Sequence, residues 1–176
     1  MTQHIRSVGG YLPILRLQRK AAVAALRATG LGGPRDGYRA VAGWDEDAFT
    51  LAVEAARDVA DGAATLCFAS TSAYFTERST AALMIDALAL PRTVRTQDVS
   101  GSRRAGTSAL LAALEGVGET VVASGEKRPT QAGSAQQLLF GDGGAAVRIG
   151  SDGPVRFIAG VSMAHDFVDF YVSRDQ

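Results

Sequence analysis

The stretch DVSGSRRAGTSAL, residues 98–110, decides the fold predicted for this chain. A strand over residues 94–99 leads into it, and a helix of small side chains begins near Ala105 and runs to residue 115. Residues 102–104 therefore form a tight elbow at a helix N-terminus. The free N–H groups and the dipole at such an end favour an anion.

Strands and helices alternate on both sides of this elbow. The short apolar runs TLCFA at 65–69 and ETVVAS at 119–124 predict strands that are covered on both faces. Helices are predicted over residues 77–90 and 132–140. This alternation predicts an α/β fold with a mostly parallel or mixed sheet covered by helices on both faces, built as a single unit over residues 1–176.

The two ends of the chain complete the predicted unit. At the N-terminal end we expect a strand over 5–13 that Gly9-Gly10 interrupts, a helix over 16–30 and a polar loop over 34–43. Asp45 is the predicted N-cap of a helix that runs to about Ala60. At the other end, strands over 145–149 and 155–161 are predicted to form a closing pair around the turn at 151–154.

The composition of the chain excludes some classes of site and gives no support to others. Hydrophobic residues make up 47% of the chain, and 18 basic side chains balance 18 acidic ones. This balance gives no reason to expect nucleic acid or an anionic membrane as partner. The single cysteine, Cys67, excludes an intramolecular disulfide and a cysteine-rich metal site and is expected to pack in the core. Because neither a secretory pattern nor an apolar run of transmembrane length is present, a cytoplasmic protein is expected.

Four segments together resemble one superfamily. They are WDEDAFTLAVEAA at 44–56, the elbow at 98–110, VVASGEKRP at 121–129 and LLFGDGGAAV at 138–147. In this order they resemble the N-terminal half of thiolase-superfamily proteins, closest to the hydroxymethylglutaryl-CoA synthase and 3-oxoacyl-ACP synthase III branch. The resemblance implies a thiolase-like half-domain whose C-terminal half is absent. The last residues, 166–176, resemble the crossover between the two halves.

The resemblance also implies which catalytic residues are missing. The nucleophilic cysteine falls on Arg103, and an arginine stays protonated and has no lone pair to offer. The acid/base glutamate falls near Thr71, while Glu77 is interpreted as a first-turn carboxylate of the following helix. The family's catalytic histidine and asparagine belong to the absent half, so His4 and His165 are not expected to be catalytic.

Other candidate residues surround the elbow. Ser100, Ser102 and Ser108 lack a neighbouring base that would make a serine nucleophilic. The expected contacts to a substrate come from Ser102, Arg103, Arg104, Gly141 and Gly143, with no metal site. Gly141, Gly143 and Gly144 are expected to permit tight turns. Trp44 is expected either to pack near a coenzyme A adenine or to anchor the start of its helix.

Three functions follow as hypotheses. The first is a non-catalytic thiolase-like subunit, a pseudoenzyme, that binds or shapes a site for an acyl-CoA or acyl-carrier thioester, with no covalently bound cofactor. The second is an acyltransferase, a condensing or carbon–carbon cleaving transferase completed by a partner chain or by an OB-fold and zinc-ribbon subunit. The third is a purely structural dimerisation module. Because an isolated half would expose its apolar helix layer, we expect a homodimer or a tight hetero-complex.

Overall fold

A computed structural model describes residues 2–26, 36–75 and 77–165 of the 176 residues. Eight strands and five helices lie within these ranges. Their order is β1 (His4–Tyr11), β2 (Leu15–Gln18), α1 (Arg19–Ala25), β3 (Tyr38–Val41), α2 (Ala48–Ala56), β4 (Thr65–Ala69), α3 (Thr80–Ala87), β5 (Arg95–Val99), α4 (Ala105–Glu115), β6 (Thr120–Glu126), α5 (Ala135–Leu139), β7 (Gly143–Gly150) and β8 (Val155–Arg156).

A six-stranded sheet with the strand order β5-β4-β6-β7-β1-β8 forms the centre of the molecule. Strand β4 lies parallel to β5 and β6, whereas β7 lies antiparallel to both β6 and β1. Helices α2 and α3 pack on one face, around Leu66, Phe68 and Val121. Helix α4 packs on the other face, around Cys67, Val122 and Ile149. The prediction of a mixed α/β sheet with helices on both faces is therefore confirmed.

Helix α2 lies unusually close to the sheet because glycines face it on three adjacent strands. A methyl group at Gly9 of β1 would overlap the carbonyl oxygen of Ala55. In the same way, Gly144 of β7 and Gly125 of β6 accommodate the carbonyl oxygens of Leu51 and Ala48. Gly9-Gly10 therefore does not interrupt β1 as expected; the strand continues through it, and Gly9 provides space for the helix.

The start of α2 differs from the prediction by two residues. Asp47, not Asp45, is the N-cap: its carboxylate accepts the Thr50 N–H at 2.8 Å, and the Thr50 hydroxyl oxygen accepts the Asp47 N–H at 2.7 Å. This reciprocal capping box satisfies two backbone donors at once, which a cap at Asp45 would not do. The helix itself ends at Ala56, and turns carry the chain on to Ala60.

The N-terminal segments were predicted less well. Residues 15–18 and 38–41, expected as helix and polar loop, instead pair as an antiparallel two-stranded sheet, with Leu17 packed against the buried Ala22 and Leu138. Helix α1 begins only at Arg19, and residues 27–30 of the predicted helix lie outside the described residues. The segment at 166–176 lies outside them too. No helix in the described ranges is long and apolar enough to cross a membrane.

Strand β8 is shorter than expected and pairs elsewhere. It covers only Val155–Arg156 and pairs with β1 through Ile5 and His4, not with β7. The predicted closing hairpin is therefore wrong, because β1 lies between the two strands and pairs with both. Helix α3 likewise begins at Thr80, so Glu77 precedes it and is not in its first turn.

Candidate functional site

The elbow between β5 and α4 has the compact geometry expected from the sequence. Gly101 adopts a φ of 82°, a left-handed conformation that other residues rarely take. The hydroxyl oxygen of Ser102 accepts the Arg104 N–H at 3.1 Å, and the carbonyl of Ser102 accepts the Ala105 N–H at 2.9 Å. Arg103 is exposed at the tip of this turn, directly before the helix. The predicted nucleophile position therefore holds a cationic side chain at a helix N-terminus.

Asp98, at the end of β5, serves the neighbouring helix and not the elbow. Its carboxylate accepts the Ser79 hydroxyl at 2.5 Å and the N–H groups of Thr80 and Ala81 at 2.9 Å and 3.0 Å. These bonds satisfy the otherwise free donors at the start of α3. Glu77 is exposed near this cap. We therefore interpret Asp98 as a structural residue.

A second carboxylate lies at the end of β4, where no local sequence pattern predicts one. Glu126, the last residue of β6, accepts the Thr71 N–H at 2.7 Å and the Thr71 hydroxyl at 2.9 Å. The Ser72 hydroxyl donates to the same carboxylate at 2.8 Å. Thr71 occupies the predicted acid/base position and is not a glutamate. The carboxylate next to it is that of Glu126, which comes from another strand. From the sequence, residues 121–129 are interpreted only as a strand and its continuation, so Glu126 is not among the predicted site residues.

A groove of about 640 Å³ opens beside Glu126. One part of its wall is basic, with Arg16, Arg19 and Arg39, and another is apolar. The apolar part consists of Leu12, Tyr38 and Leu139, each more than half exposed. The floor comes from the ends of β6 and β7 and the turn between α5 and β7, with Ser124, Gly141, Asp142, Gly143, Gly144 and Ala145.

The groove arginines are held in place by the backbone. Arg19 donates to the Leu138 carbonyl at 2.9 Å, and Arg39 donates to the Phe140 carbonyl at 2.8 Å. Arg39 also lies 4.0 Å from the carboxylate of buried Asp142, which accepts the Ala42 N–H at 2.8 Å. A guanidinium bound to a neutral carbonyl keeps its full charge. Three arginines against the two carboxylates of Glu126 and Asp142 make the groove suitable for an anion.

The structure brings only some of the predicted site residues together. Gly141 and Gly143 line the groove, whereas Ser102, Arg103 and Arg104 do not. The glycines were expected to permit tight turns, yet Gly141, Gly143 and Gly144 all have ordinary backbone angles. Close packing explains Gly144 instead, since the Leu51 carbonyl lies where its side chain would be, and a Cβ at Gly143 would be only in tight contact with Leu12 at 3.2 Å.

The remaining candidates have simple surroundings. Cys67 is buried, as expected, and this burial, together with the charge of Asp98, raises the pKa of its thiol to about 11. Trp44 is fully exposed, so its expected role as an anchor for α2 is wrong. The ring of His4, at the start of β1, lies 3.0 Å from the Gly153 carbonyl, and His165 is exposed beyond β8.

Comparison with known proteins connects this architecture to one group of folds. Neither a protein-family model nor a curated protein sequence matches the chain. Among solved structures, MvaS in complex with 3-hydroxy-3-methylglutaryl coenzyme A is 24% identical, with a TM-score of 0.73 over 85% of this chain and 40% of its own. The 3-oxoacyl-(acyl carrier protein) synthase III of Pseudomonas aeruginosa PAO1 is 20% identical, with a TM-score of 0.71 over 86% and 51%.

A third structure extends the group. OleA of Xanthomonas campestris with bound lauric acid and lauroyl-CoA is 18% identical, with a TM-score of 0.69 over 85% of this chain and 56% of its own. The chain thus has the thiolase-like fold of these enzymes and spans about half the length of the solved structures it matches.

Proposed function

We propose that the chain is a thiolase-like subunit that binds an acyl thioester of coenzyme A or of an acyl carrier protein and forms no acyl-enzyme of its own. The observation that carries this proposal is the elbow. Its turn and its helix are intact, yet Arg103 stands at the tip. An arginine cannot attack a thioester, and its charge can instead attract a phosphate or a carboxylate.

The groove supports the proposal because its basic and apolar lining residues suit the two ends of such a ligand. Coenzyme A carries anionic phosphates at one end and a flexible, less polar arm with the acyl group at the other. Arg16, Arg19 and Arg39 supply positive charge for the phosphates. The exposed apolar side chains that also line the groove, Leu12, Tyr38 and Leu139, supply a surface for the arm.

The ligands bound in two similar structures also support the choice of a coenzyme A thioester. MvaS was solved with 3-hydroxy-3-methylglutaryl coenzyme A, and OleA with lauroyl-CoA. These ligands belong to those proteins, whose sequences differ greatly from this one. They nevertheless make coenzyme A thioesters the first ligands to test here.

Calorimetric titration with coenzyme A and acetyl-CoA tests this proposal. We expect binding to the wild-type chain, and roughly tenfold weaker binding to Arg16→Gln, since a charge-assisted hydrogen bond contributes about 1.5–3 kcal/mol. Arg16 is exposed, so its loss should leave the fold intact. Arg57→Gln removes an exposed arginine directly after α2, outside the groove, and should bind like the wild type. Binding of neither ligand would contradict the proposal and favour a structural dimerisation module.

A second candidate function has one observation in its favour. Glu126 places a carboxylate next to Thr71, which suits a condensing or carbon–carbon cleaving transferase completed by a partner chain or by an OB-fold and zinc-ribbon subunit. The neighbouring coding sequence distinguishes the two candidates. A downstream half that carries the family's histidine and asparagine would favour catalysis by the assembled protein.

A further inference from the structure

Helix α4 carries its charged residues in the order that its own dipole disfavours. Arg104 is the N-cap residue and Glu115 is the last residue, while the first turn holds no acidic residue and the last turn no basic one. A cation at the positive N-terminal end and an anion at the negative C-terminal end are both unfavourable for an isolated helix. Neither side chain forms an ion pair with another of the described residues. The contacts within the described chain therefore do not explain this arrangement.

Both charges lie on the solvent side of α4. Side chains three and four residues apart share a face of a helix, and this spacing connects Arg104, Ser108, Leu111 and Glu115. We call these residues the outer stripe. Arg104, Ser108 and Glu115 are exposed and Leu111 is half-buried, whereas Ala109 is buried in the cluster that joins the helix to the sheet. The outer stripe is thus available to another molecule.

The outer stripe is complementary to a second copy of itself in the antiparallel direction. In a pair with two-fold symmetry the same patch serves both copies, so each contact occurs twice. With two antiparallel α4 helices, Arg104 faces Glu115 of the second copy at both ends, and Ser108 faces Leu111 in the centre. Each charge then meets an opposite charge and also the end of the neighbouring dipole that attracts it. A parallel pair would place like charges against each other.

The surface around the outer stripe suits the close approach of a second helix. Ser108 and the neighbouring Ala112 are small and exposed, so two helix backbones can lie near each other. Val117, just beyond the end of α4, is 76% exposed and adds apolar area. The chain has no net charge, so two copies do not repel each other overall.

We propose that the outer stripe of α4 is the interaction surface for a second copy of this chain. The two copies pack α4 against α4 as an antiparallel pair, with contacts between Arg104 and Glu115 at both ends. The charge order that is unfavourable for one helix is favourable for the pair. The outer stripe lies outside the groove, so this inference does not depend on thioester binding.

Charge reversal tests the pairing without weakening the helix. Arg104→Glu and Glu115→Arg each place at a helix end the charge that the dipole prefers, so the monomer should lose no stability to urea. Each substitution nevertheless turns both contacts of the pair into repulsions. In sedimentation velocity of the full chain at micromolar concentrations, we expect a wild-type dimer and roughly tenfold weaker self-association of each variant. Glu77→Arg reverses an exposed charge outside α4 and should associate like the wild type.

Mixing the two variants provides a test that a folding defect cannot imitate. Arg104→Glu makes the outer stripe negative at both ends, and Glu115→Arg makes it positive at both ends. An equimolar mixture should therefore form a dimer with one copy of each variant, at least as tightly as the wild type pairs with itself. Mass spectrometry under native conditions identifies that mixed dimer, because the two variants differ in mass.

The possible results decide the inference separately from the proposed function. A monomeric wild type, or a dimer that persists in both reversal variants as pairing through the edge of β5 would give, overturns it. Failure of the folded variants to pair with each other overturns it as well. Where urea unfolding shows a reversal variant to be unfolded, Arg104→Gln and Glu115→Gln should still weaken the dimer, and unchanged association would contradict the pairing. Absence of thioester binding leaves this inference standing.

Discussion

At the scale of a single residue, Arg103 determines the chemistry that the elbow can perform. The helix N-terminus behind it would lower the pKa of a cysteine placed there. We predict that Arg103→Cys is alkylated by iodoacetamide at pH 7 roughly tenfold faster than Ser108→Cys, which places an exposed cysteine one turn into α4. Peptide mapping of the alkylated protein measures both rates. Equal rates would mean that the elbow no longer activates a thiol.

Cys67 provides a second residue-scale prediction and an internal reference for the first. Its pKa of about 11 lies above the usual value of 9.0 because burial penalises the thiolate. We expect almost no alkylation of the folded wild type between pH 7 and 9, with the rate rising only as the pH approaches 11. In guanidinium chloride the same cysteine should react rapidly. Fast labelling of the folded protein at pH 8 would contradict the buried position of Cys67.

The close position of helix α2 on the sheet depends on glycines, which have no side chain, in the strands beneath it. Gly9→Ala places a methyl group against the Ala55 carbonyl, so we predict a loss of about 1–3 kcal/mol in the free energy of unfolding. Gly10→Ala is the matched control on the same strand. The nearest atom to its new methyl group lies 3.9 Å away, which is ordinary contact, so its effect should be much smaller. Urea denaturation measures both, and similar losses would contradict the close seating of α2.

Elements fixed by local pattern were predicted well, and those fixed by distant pairing were not. The run at 65–69 matches β4 residue for residue, because burial on both faces leaves a clear apolar signal. The small-residue helix at 105–115 likewise matches α4 at both ends. Strands β2 and β3 were missed because residues 15–18 find their partners some twenty residues later, beyond any local signal.

The candidate site also has one part that was predicted from the sequence and another that was not. The elbow was predicted because a strand end, a glycine and a helix start are adjacent in sequence at 98–105. Glu126 was missed because its partners, Thr71 and Ser72, lie more than fifty residues earlier and meet it only through the parallel pairing of β4 with β6. The packing role of Gly144 depends on contact with the backbone of α2, which no turn motif reveals.

At the scale of the whole molecule, the sheet of the described residues ends in a strand that could pair with a partner. Strand β5 lies at one end of the six-stranded sheet, and Arg95, Thr96, Gln97 and Asp98 are exposed along it. Such an edge can pair with a second strand. We therefore predict a homodimer of twice the 18.3 kDa of one chain, or a tight complex whose mass is that of one chain plus its partner subunit. Size-exclusion chromatography with light scattering measures this mass. A stable monomer at micromolar concentration that recruits no partner would contradict the prediction.

Mass spectrometry of the full chain incubated with acetyl-CoA distinguishes binding of a thioester from acyl transfer. Under native conditions we predict a complex whose mass is that of the protein plus one intact acetyl-CoA per chain. Under denaturing conditions the same sample should return the unmodified protein, because Arg103 cannot carry an acyl group. An acetyl adduct on any residue, or the absence of a complex under native conditions, would contradict the account.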